Sequence, residues 1–214
     1  MKKRIACAQM TAVNGDRAEN LSRIEKLVKE AAQSKCHVVV FPELATVGYG
    51  EPEANAASAE AIPGPTSQTL SRMAKENKIA VAIGMPELDE VSGIRYNTML
   101  LIGADGEEVF RYHKVHLWTR EKAWAQPGED FPVKEWESIP TGMWVCYDSR
   151  FPEAARSIAL AGGKLSLVAT AWLGPSDEWE LAIRSRAMDN GIFVAASALQ
   201  GEPFYGPSLI VDPH

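Results

Sequence analysis

Residues 37–43 read His-Val-Val-Val-Phe-Pro-Glu, and this stretch decides the fold. Its first five residues form a continuous, largely apolar run, which is typical of a strand buried on both faces of a sheet. The run ends at a proline and a carboxylate, Glu43. Before it, residues 21–31 carry apolar side chains at helical spacing, which predicts a helix with one buried face. Residues 4–10 fit an earlier strand, so strand, helix and strand follow one another.

Strands and helices continue to alternate along the chain. Residues 66–77 fit a second helix, and residues 79–85 fit another buried strand. Farther on, Ala-Asp-Gly at residues 104–106 joins two strand-like segments as a hairpin turn does. This alternation predicts an α/β fold, and the hairpin makes its sheet mixed. A single domain over residues 1–214 is the simpler interpretation.

Composition limits the classes of protein that this chain can represent. Its formal charge of −6 argues against a nucleic-acid-binding groove, which needs a basic stripe. Three cysteines do not make a disulfide framework, and they fit a reducing compartment. No apolar run approaches the ~20 residues of a membrane helix. We therefore expect a cytoplasmic protein that binds neither nucleic acid nor membrane.

Three reactive side chains stand where apolar strands end: Glu43, Lys114 and Cys146. In α/β folds, strand ends are where ligands and catalytic groups collect. A cysteine needs a base to become a thiolate, and a nearby ammonium both favours the thiolate and stabilises an oxyanion. The three residues together indicate nucleophilic catalysis, although spacing alone does not bring the strand ends together.

Each of these residues also has a purely structural interpretation. A single cysteine at a strand end is usually a small buried hydrophobe, and single glutamates and lysines are usually solvated. Cys7 and Cys36 carry only the structural interpretation, because neither has an adjacent polar partner. His113 and His116 have no third ligand at a suitable spacing, so we expect no metal site. We also expect no cofactor, because no phosphate-binding glycine loop is present.

Three ordered segments resemble the motifs of the nitrilase superfamily of carbon–nitrogen hydrolases. Residues 39–44 resemble its glutamate motif, residues 112–117 its lysine motif and residues 145–153 its cysteine motif. Supporting matches run through the rest of the chain, at Ala8-Gln9-Met10, Gly48-Tyr49, Tyr96-Asn97-Thr98, residues 186–190 and residues 206–213. Any one motif would be weak, but three in this order make the resemblance specific.

The resemblance implies an α-β-β-α sandwich with mixed sheets and self-association into a homodimer or a larger homo-oligomer. It also implies that Glu43 acts as general base and Cys146 as nucleophile. Lys114 and the backbone N–H of Tyr147 would hold the oxyanion. Glu121 matches a second glutamate of many members, which would orient the substrate or hold the lysine.

The resemblance further implies a small-molecule substrate, either an amide or an N-carbamoyl compound, that is split through a cysteine thioester. Tyr49, Tyr147 and Trp172, which closes a buried strand, are the substrate-binding candidates. Nitrile-cleaving members typically follow the cysteine with Trp-Glu, whereas this chain has Tyr147-Asp148, which favours amides over the alternative of a nitrilase. The intact set of three reactive residues argues against a second alternative, a non-catalytic protein that keeps the fold.

Members of this superfamily usually continue for several strands beyond the Asp-Pro that this chain carries at residues 212–213. The resemblance therefore leads us to expect a sandwich without the usual C-terminal segment. It also predicts an open strand edge near residues 208–211, which would favour association or a covering partner.

Overall fold

Two mixed β-sheets of five strands each form the centre of the protein in the computed structural model, which describes residues 2–214. The first sheet and its helices come, in chain order, from β1 (Ile5–Cys7), α1 (Arg17–Gln33), β2 (Val38–Val40), α2 (Pro52–Ala57), α3 (Pro65–Asn77), β3 (Ala80–Leu88), β4 (Arg95–Ile102) and β5 (Glu108–His113). Strands β1, β2 and β3 are parallel neighbours, and β4 and β5 continue the sheet as antiparallel strands.

The second sheet repeats this mixture of parallel and antiparallel pairs. Its elements are β6 (Val133–Trp136), β7 (Ile139–Val145), α4 (Pro152–Leu160), β8 (Leu165–Thr170), α5 (Ser176–Asn190), β9 (Phe193–Ala198) and β10 (Leu209–Val211). Strands β7, β8 and β9 run parallel, while β6 and β10 are antiparallel strands at the two edges. Two short 3-10 turns, Glu121–Ala123 and Cys146–Arg150, lie outside the sheets.

Strand β2 explains the layering of the molecule. Successive side chains of a strand point to opposite faces of its sheet. Val38 and Val40 belong to the core between the two sheets, whereas Val39 packs in the core that α1 and α3 form with the first sheet. Helices α4 and α5 cover the other side of the second sheet through Ile158 and Ile183. The layers therefore follow the α-β-β-α order that the resemblance implies.

Two elements differ from the sequence-based expectation. Helix α2 lies within residues 48–63, which the sequence predicts as loop. Strand β6 was not predicted, because its central residues Lys134 and Glu135 are exposed and charged and give no apolar pattern. Within residues 2–214, no helix combines the length and the apolar character needed to cross a membrane.

Candidate active site

The strand ends that carry Glu43 and Cys146 meet between the two sheets. Glu43 follows β2 in the first sheet, and its Oε2 accepts a hydrogen bond of 2.9 Å from the backbone N–H of Ala171. Ala171 follows β8 in the second sheet and lines the same cavity as Cys146. Glu43 is therefore fixed directly to the second sheet, in the neighbourhood of the cysteine.

A close backbone approach positions Glu43. A Cβ atom on Gly84 of β3 would lie 2.7 Å from Cα of Glu43 and 2.6 Å from the backbone N of Leu44. Only glycine leaves room for the turn after β2 to pass this close to β3. Leu44 has a positive φ of 50°, so the chain turns sharply as soon as it has presented the carboxylate.

Lys114 lies at the centre of a buried polar cluster. Its Nζ donates hydrogen bonds of 2.7 Å to Oε1 of Glu43 and to Oε1 of Glu121. Nδ2 of Asn97 donates to the same two oxygens, at 2.8 and 3.0 Å. The hydroxyl of Tyr49 adds a bond of 3.2 Å to Glu121. A cation and a neutral amide thus bridge the two carboxylates.

This cluster contains two carboxylates and one ammonium, and the imbalance governs their pKa values. Burial raises the pKa of Glu43, but attraction to Lys114 and hydrogen bonds from its neighbours outweigh burial and hold that pKa below its ordinary value. Burial and the charge of Glu43 raise the pKa of Glu121 to about 7, against the opposing effect of Lys114. Burial lowers the pKa of Lys114, but the two carboxylates raise it well above its ordinary value. Glu43 is therefore an ionised base beside a protonated lysine.

Cys146 does not continue β7. That strand ends at Val145, and Cys146 opens the 3-10 turn Cys146–Arg150 with a φ of 47°. A positive φ is uncommon for residues other than glycine, and it persists where the surrounding structure enforces it, often at functional sites. The turn directs the chain away from the sheet at the residue whose side chain reaches the cavity.

Asp148 holds this turn in place. Its Oδ2 accepts hydrogen bonds from the backbone N–H of Val145 at 2.9 Å and from the hydroxyl of Tyr112 at 2.7 Å. Its Oδ1 accepts from the backbone N–H of His116 at 2.8 Å and lies 2.8 Å from Nδ1 of the same residue. Because His116 comes two residues after Lys114, the Asp148 carboxylate ties the cysteine turn to the segment that carries the lysine.

The cysteine is a neutral thiol at rest. Burial raises the pKa of Cys146, the charge of Glu43 raises it further, and Lys114 acts in the opposite direction with a smaller effect. The sequence suggested that the nearby ammonium favours a thiolate, but burial and the carboxylate outweigh the ammonium. The site therefore combines an uncharged thiol with an ionised carboxylate.

A cavity of about 210 Å³ opens beside Cys146. It is lined by Tyr49, Trp118, Cys146, Tyr147, Arg150, Ala171, Trp172, Leu173 and Gly174. All three substrate-binding candidates from the sequence, Tyr49, Tyr147 and Trp172, lie on its wall. Glu43, Lys114 and Glu121 are not among these lining residues and lie in the buried polar cluster instead.

Sequence reasoning did not single out three residues of this region. Asn97 bridges the carboxylates, and a fully buried amide inside an apolar strand was the signal that could have revealed it. Trp118 packs edge-on against Tyr147 with ring centroids 4.8 Å apart. The guanidinium of Arg150 lies 5.3 Å from the centre of the Trp172 ring. Arg150 falls inside the cysteine motif and Trp118 directly after the lysine motif, but the motifs alone do not show which of their residues face the cavity.

Comparisons with known proteins agree with this fold. The carbon–nitrogen hydrolase family model matches residues 4–214. A probable nitrilase from Schizosaccharomyces pombe is 36% identical over 222 residues, which cover 100% of this chain and 82% of that protein. An omega-amidase from Xenopus tropicalis is 37% identical over 218 residues, which cover 92% of this chain and 76% of that protein.

A similar solved structure is that of an amidase from Nesterenkonia sp. AN1. It matches with a TM-score of 0.92 and 32% identity, over 99% of this chain and 86% of that one. The structure is of a mutant of that amidase and contains the product of Michael addition of acrylamide at the active-site cysteine. The family model spans almost the whole chain, and the chain covers more than two thirds of relatives that are over 30% identical to it. The chain therefore belongs to the carbon–nitrogen hydrolase family, in the amidase-like branch of the nitrilase superfamily, and is a hydrolase of C–N bonds other than peptide bonds.

Proposed function

We propose that this enzyme hydrolyses the C–N bond of a small amide or N-carbamoyl compound through a thioester on Cys146. The buried Glu43–Lys114 pair carries this proposal: its atoms lie 2.7 Å apart, and Glu43 also accepts a hydrogen bond from Ala171, which lines the cavity together with Cys146. A carboxylate base, a cation and a thiol are the groups that acyl transfer to cysteine requires.

In the first half of the reaction, Glu43 takes the thiol proton while the sulfur of Cys146 bonds to the carbonyl carbon. The carbonyl electron pair moves to its oxygen, which accepts hydrogen bonds from Lys114 and from the backbone N–H of Tyr147. An ammonium has three N–H groups, and two of those on Lys114 bond Glu43 and Glu121, so the third serves the oxyanion. The C–N bond then breaks, and the nitrogen takes the proton from Glu43 and leaves as ammonia or an amine.

In the second half, water replaces the departed nitrogen. Glu43 removes a proton from water as its oxygen bonds to the thioester carbon. The C–S bond breaks, the sulfur recovers the proton from Glu43, and a carboxylic acid leaves. Throughout, Glu121 holds Lys114 in position from behind the cavity wall.

The size and walls of the cavity support a small substrate. Its volume of about 210 Å³ is below the ~300 Å³ at which sites for drug-sized ligands begin. Aromatic side chains from Tyr49, Trp118, Tyr147 and Trp172 favour an acyl group with apolar or flat surfaces. The names of the omega-amidase and amidase relatives support an amide as substrate.

A nitrile is the second candidate substrate. The name of the probable nitrilase from Schizosaccharomyces pombe favours it. Tyr147-Asp148 after the cysteine favours the amide, since the nitrile-cleaving branch typically has Trp-Glu there.

We also propose that residues 1–214 act as one domain and that the protein forms homo-oligomers. Leu160 on α4 and Leu181 and Met188 on α5 are exposed apolar side chains, and α4 packs against α5. Apolar surface of this kind often marks a protein–protein contact. The double change Leu181→Glu with Met188→Glu should lower the mass measured by light scattering. An unchanged mass would show that this face does not form the contact between subunits.

The reaction is tested by measuring ammonia release from matched amides, N-carbamoyl compounds and nitriles. The wild type should release ammonia from members of the first two groups, and Cys146→Ala should release none while melting cooperatively. Cys36→Ala is the matched control, because Cys36 is a partly exposed free cysteine outside the cavity. Activity that survives in Cys146→Ala would contradict the proposal.

A further inference from the structure

We propose that Asn97 is a positioning residue of this site: its side-chain amide holds the carboxylates of Glu43 and Glu121 at one fixed separation around Lys114. This inference rests on the proposed function, in which Glu43 is the base. In this inference a neutral amide, together with the ammonium, holds the two carboxylates in position.

The hydrogen-bond geometry is a closed ring of four polar atoms. Nδ2 of Asn97 and Nζ of Lys114 each donate to Oε1 of Glu43 and to Oε1 of Glu121, at distances from 2.7 to 3.0 Å. An amide nitrogen has two N–H groups, so Asn97 gives one to each carboxylate. Two carboxylate oxygens that would otherwise repel each other are thereby held on either side of two donors.

The orientation of the amide is set by the carboxylates. With the amide reversed, Oδ1 of Asn97 would face the two carboxylate oxygens, and Lys114 would be the one donor left among three acceptors in this ring. In the observed orientation, Oδ1 is buried and has no hydrogen-bond partner among residues 2–214. Buried polar atoms are nearly always paired, so an asparagine that served only to connect strands would be expected to satisfy both ends. Here the two bonds to the acids are kept although the carbonyl end is left unpaired.

The backbone also places Asn97 and Lys114 together. Asn97 lies in β4, and its carbonyl oxygen accepts a hydrogen bond of 2.9 Å from the backbone N–H of Lys114, directly after β5. The two donors therefore occupy neighbouring positions on paired strands, and both side chains are fully buried. The relative position of the two donors is therefore fixed by the first sheet.

A neutral donor has a chemical consequence that a second cation would not have. A second cation would balance both acids and make Glu43 a weaker base, whereas the amide satisfies their oxygens and leaves one negative charge in excess. Loss of the amide would let the acids repel, and one of them would take up a proton at a higher pH. In accord with this, burial raises the pKa of Glu43, whereas Lys114, Glu121 and, with a smaller effect, the hydrogen bond from Asn97 lower it.

The test is the pH profile of kcat/KM for Asn97→Leu, which keeps the approximate volume and removes both donors. The acid limb should move upward by about half a pH unit or more, with a loss mainly in kcat. Thr98→Val is the matched control, because Thr98 is the next residue of β4, is also buried, and bonds Glu87. The acid limb of Thr98→Val should lie at the same pH as that of the wild type. An unmoved limb in Asn97→Leu would overturn the inference, even if kcat fell.

A second readout separates this inference from the proposed reaction. Alkylation of Cys146 by iodoacetamide, followed by peptide mass spectrometry across pH, needs no turnover and still reports the base beside the thiol. If the wild type releases no ammonia from any amide, the proposed function fails, and the alkylation profile tests Asn97 alone. If Asn97→Leu does not melt cooperatively, Asn97→Ser takes its place. Serine offers one donor where asparagine offers two, so the pH profile of Asn97→Ser should also lie at higher pH than that of the wild type. An unshifted profile in Asn97→Ser would overturn the inference.

Discussion

Nζ of Lys114 lies 2.7 Å from Oε1 of Glu43, and both side chains are completely buried. A buried ion pair is stable only while both partners are present, because either ion alone would be an uncompensated charge in the interior. The contact that keeps Glu43 ionised also fixes the ammonium within the buried polar cluster. Substitutions at this pair are therefore expected to change stability and turnover together.

Lys114→Met should lower kcat by about 10²–10³, because an oxyanion donor is lost. It should also lower the free energy of unfolding by roughly 3–5 kcal/mol near pH 8, because two carboxylates remain buried without their cation. Near pH 5 the destabilisation should be smaller, since the acids can then take up protons. Urea unfolding at both pH values measures the difference. Lys122→Met, at an exposed lysine of the adjacent 3-10 turn, is the control, and equal destabilisation by both changes would contradict the expectation.

Glu121 should make the protein less stable as the pH rises towards 8. Its folded-state pKa of about 7 is above the ordinary value of 4.5, so the folded state binds the proton more tightly than the unfolded chain does. The stability from this group is complete below the unfolded pKa and is lost as the pH rises through the folded pKa, by roughly 1–3 kcal/mol in total. Urea unfolding between pH 5 and 8 should show this slope in the wild type and in the exposed control Glu129→Gln. Glu121→Gln should reduce this dependence of the free energy of unfolding on pH. An unchanged slope in that variant would show that another group causes the dependence.

Asp148→Asn should loosen the turn that presents Cys146. The carboxylate accepts hydrogen bonds from Val145, Tyr112 and His116, and an amide would place N–H groups against some of these donors. We expect a loss of roughly 1.5–3 kcal/mol in the free energy of unfolding, with a fall in kcat, because bonds to a buried charged group are lost. Asp130→Asn, at an exposed aspartate, should leave both quantities unchanged. Wild-type kcat in Asp148→Asn would show that the turn holds its shape without this carboxylate.

The parts of the fold that the sequence predicts are those with a strong apolar pattern. The run ending at Phe41 is buried on both faces of its sheet, as a continuous apolar segment indicates. The sequence does not predict strand β6, because its exposed charged residues give no apolar pattern. It does not predict helix α2, because a short polar helix has the composition of a loop. Local patterns report burial, so short exposed elements give little signal.

The candidate site residues come from local patterns, but the contacts between them do not. Strand ends and motifs led us to propose Glu43, Lys114 and Cys146, whereas no local pattern shows that Glu43 reaches Ala171 on the other sheet. The left-handed backbone of Cys146 likewise depends on bonds from distant segments to Asp148. These features arise from contacts between strands that are far apart in the chain.

Amides should be preferred over nitriles with the same acyl group. Tyr147-Asp148 directly after the cysteine motivates this expectation, because the nitrile-cleaving branch typically differs there. Comparing kcat/KM for one matched amide and nitrile decides it. A nitrile preferred by about tenfold, which corresponds to about 1.4 kcal/mol in the barrier, would make nitrile hydrolysis the main activity.

The proposed chemistry is tested most directly by trapping the acyl enzyme and locating it. The wild type and Glu43→Gln are mixed with a small amide, quenched in acid and digested, and the peptides are examined by mass spectrometry. Glu43→Gln keeps the shape of the side chain but removes the base, so turnover should fall by about 10²–10⁴. We predict that an acyl adduct appears in the wild type on the peptide that contains Cys146 and on no peptide that contains Cys7 or Cys36. Turnover of the amide with Cys146 unmodified at every time point, or with the acyl group on another residue, would contradict a thioester on Cys146.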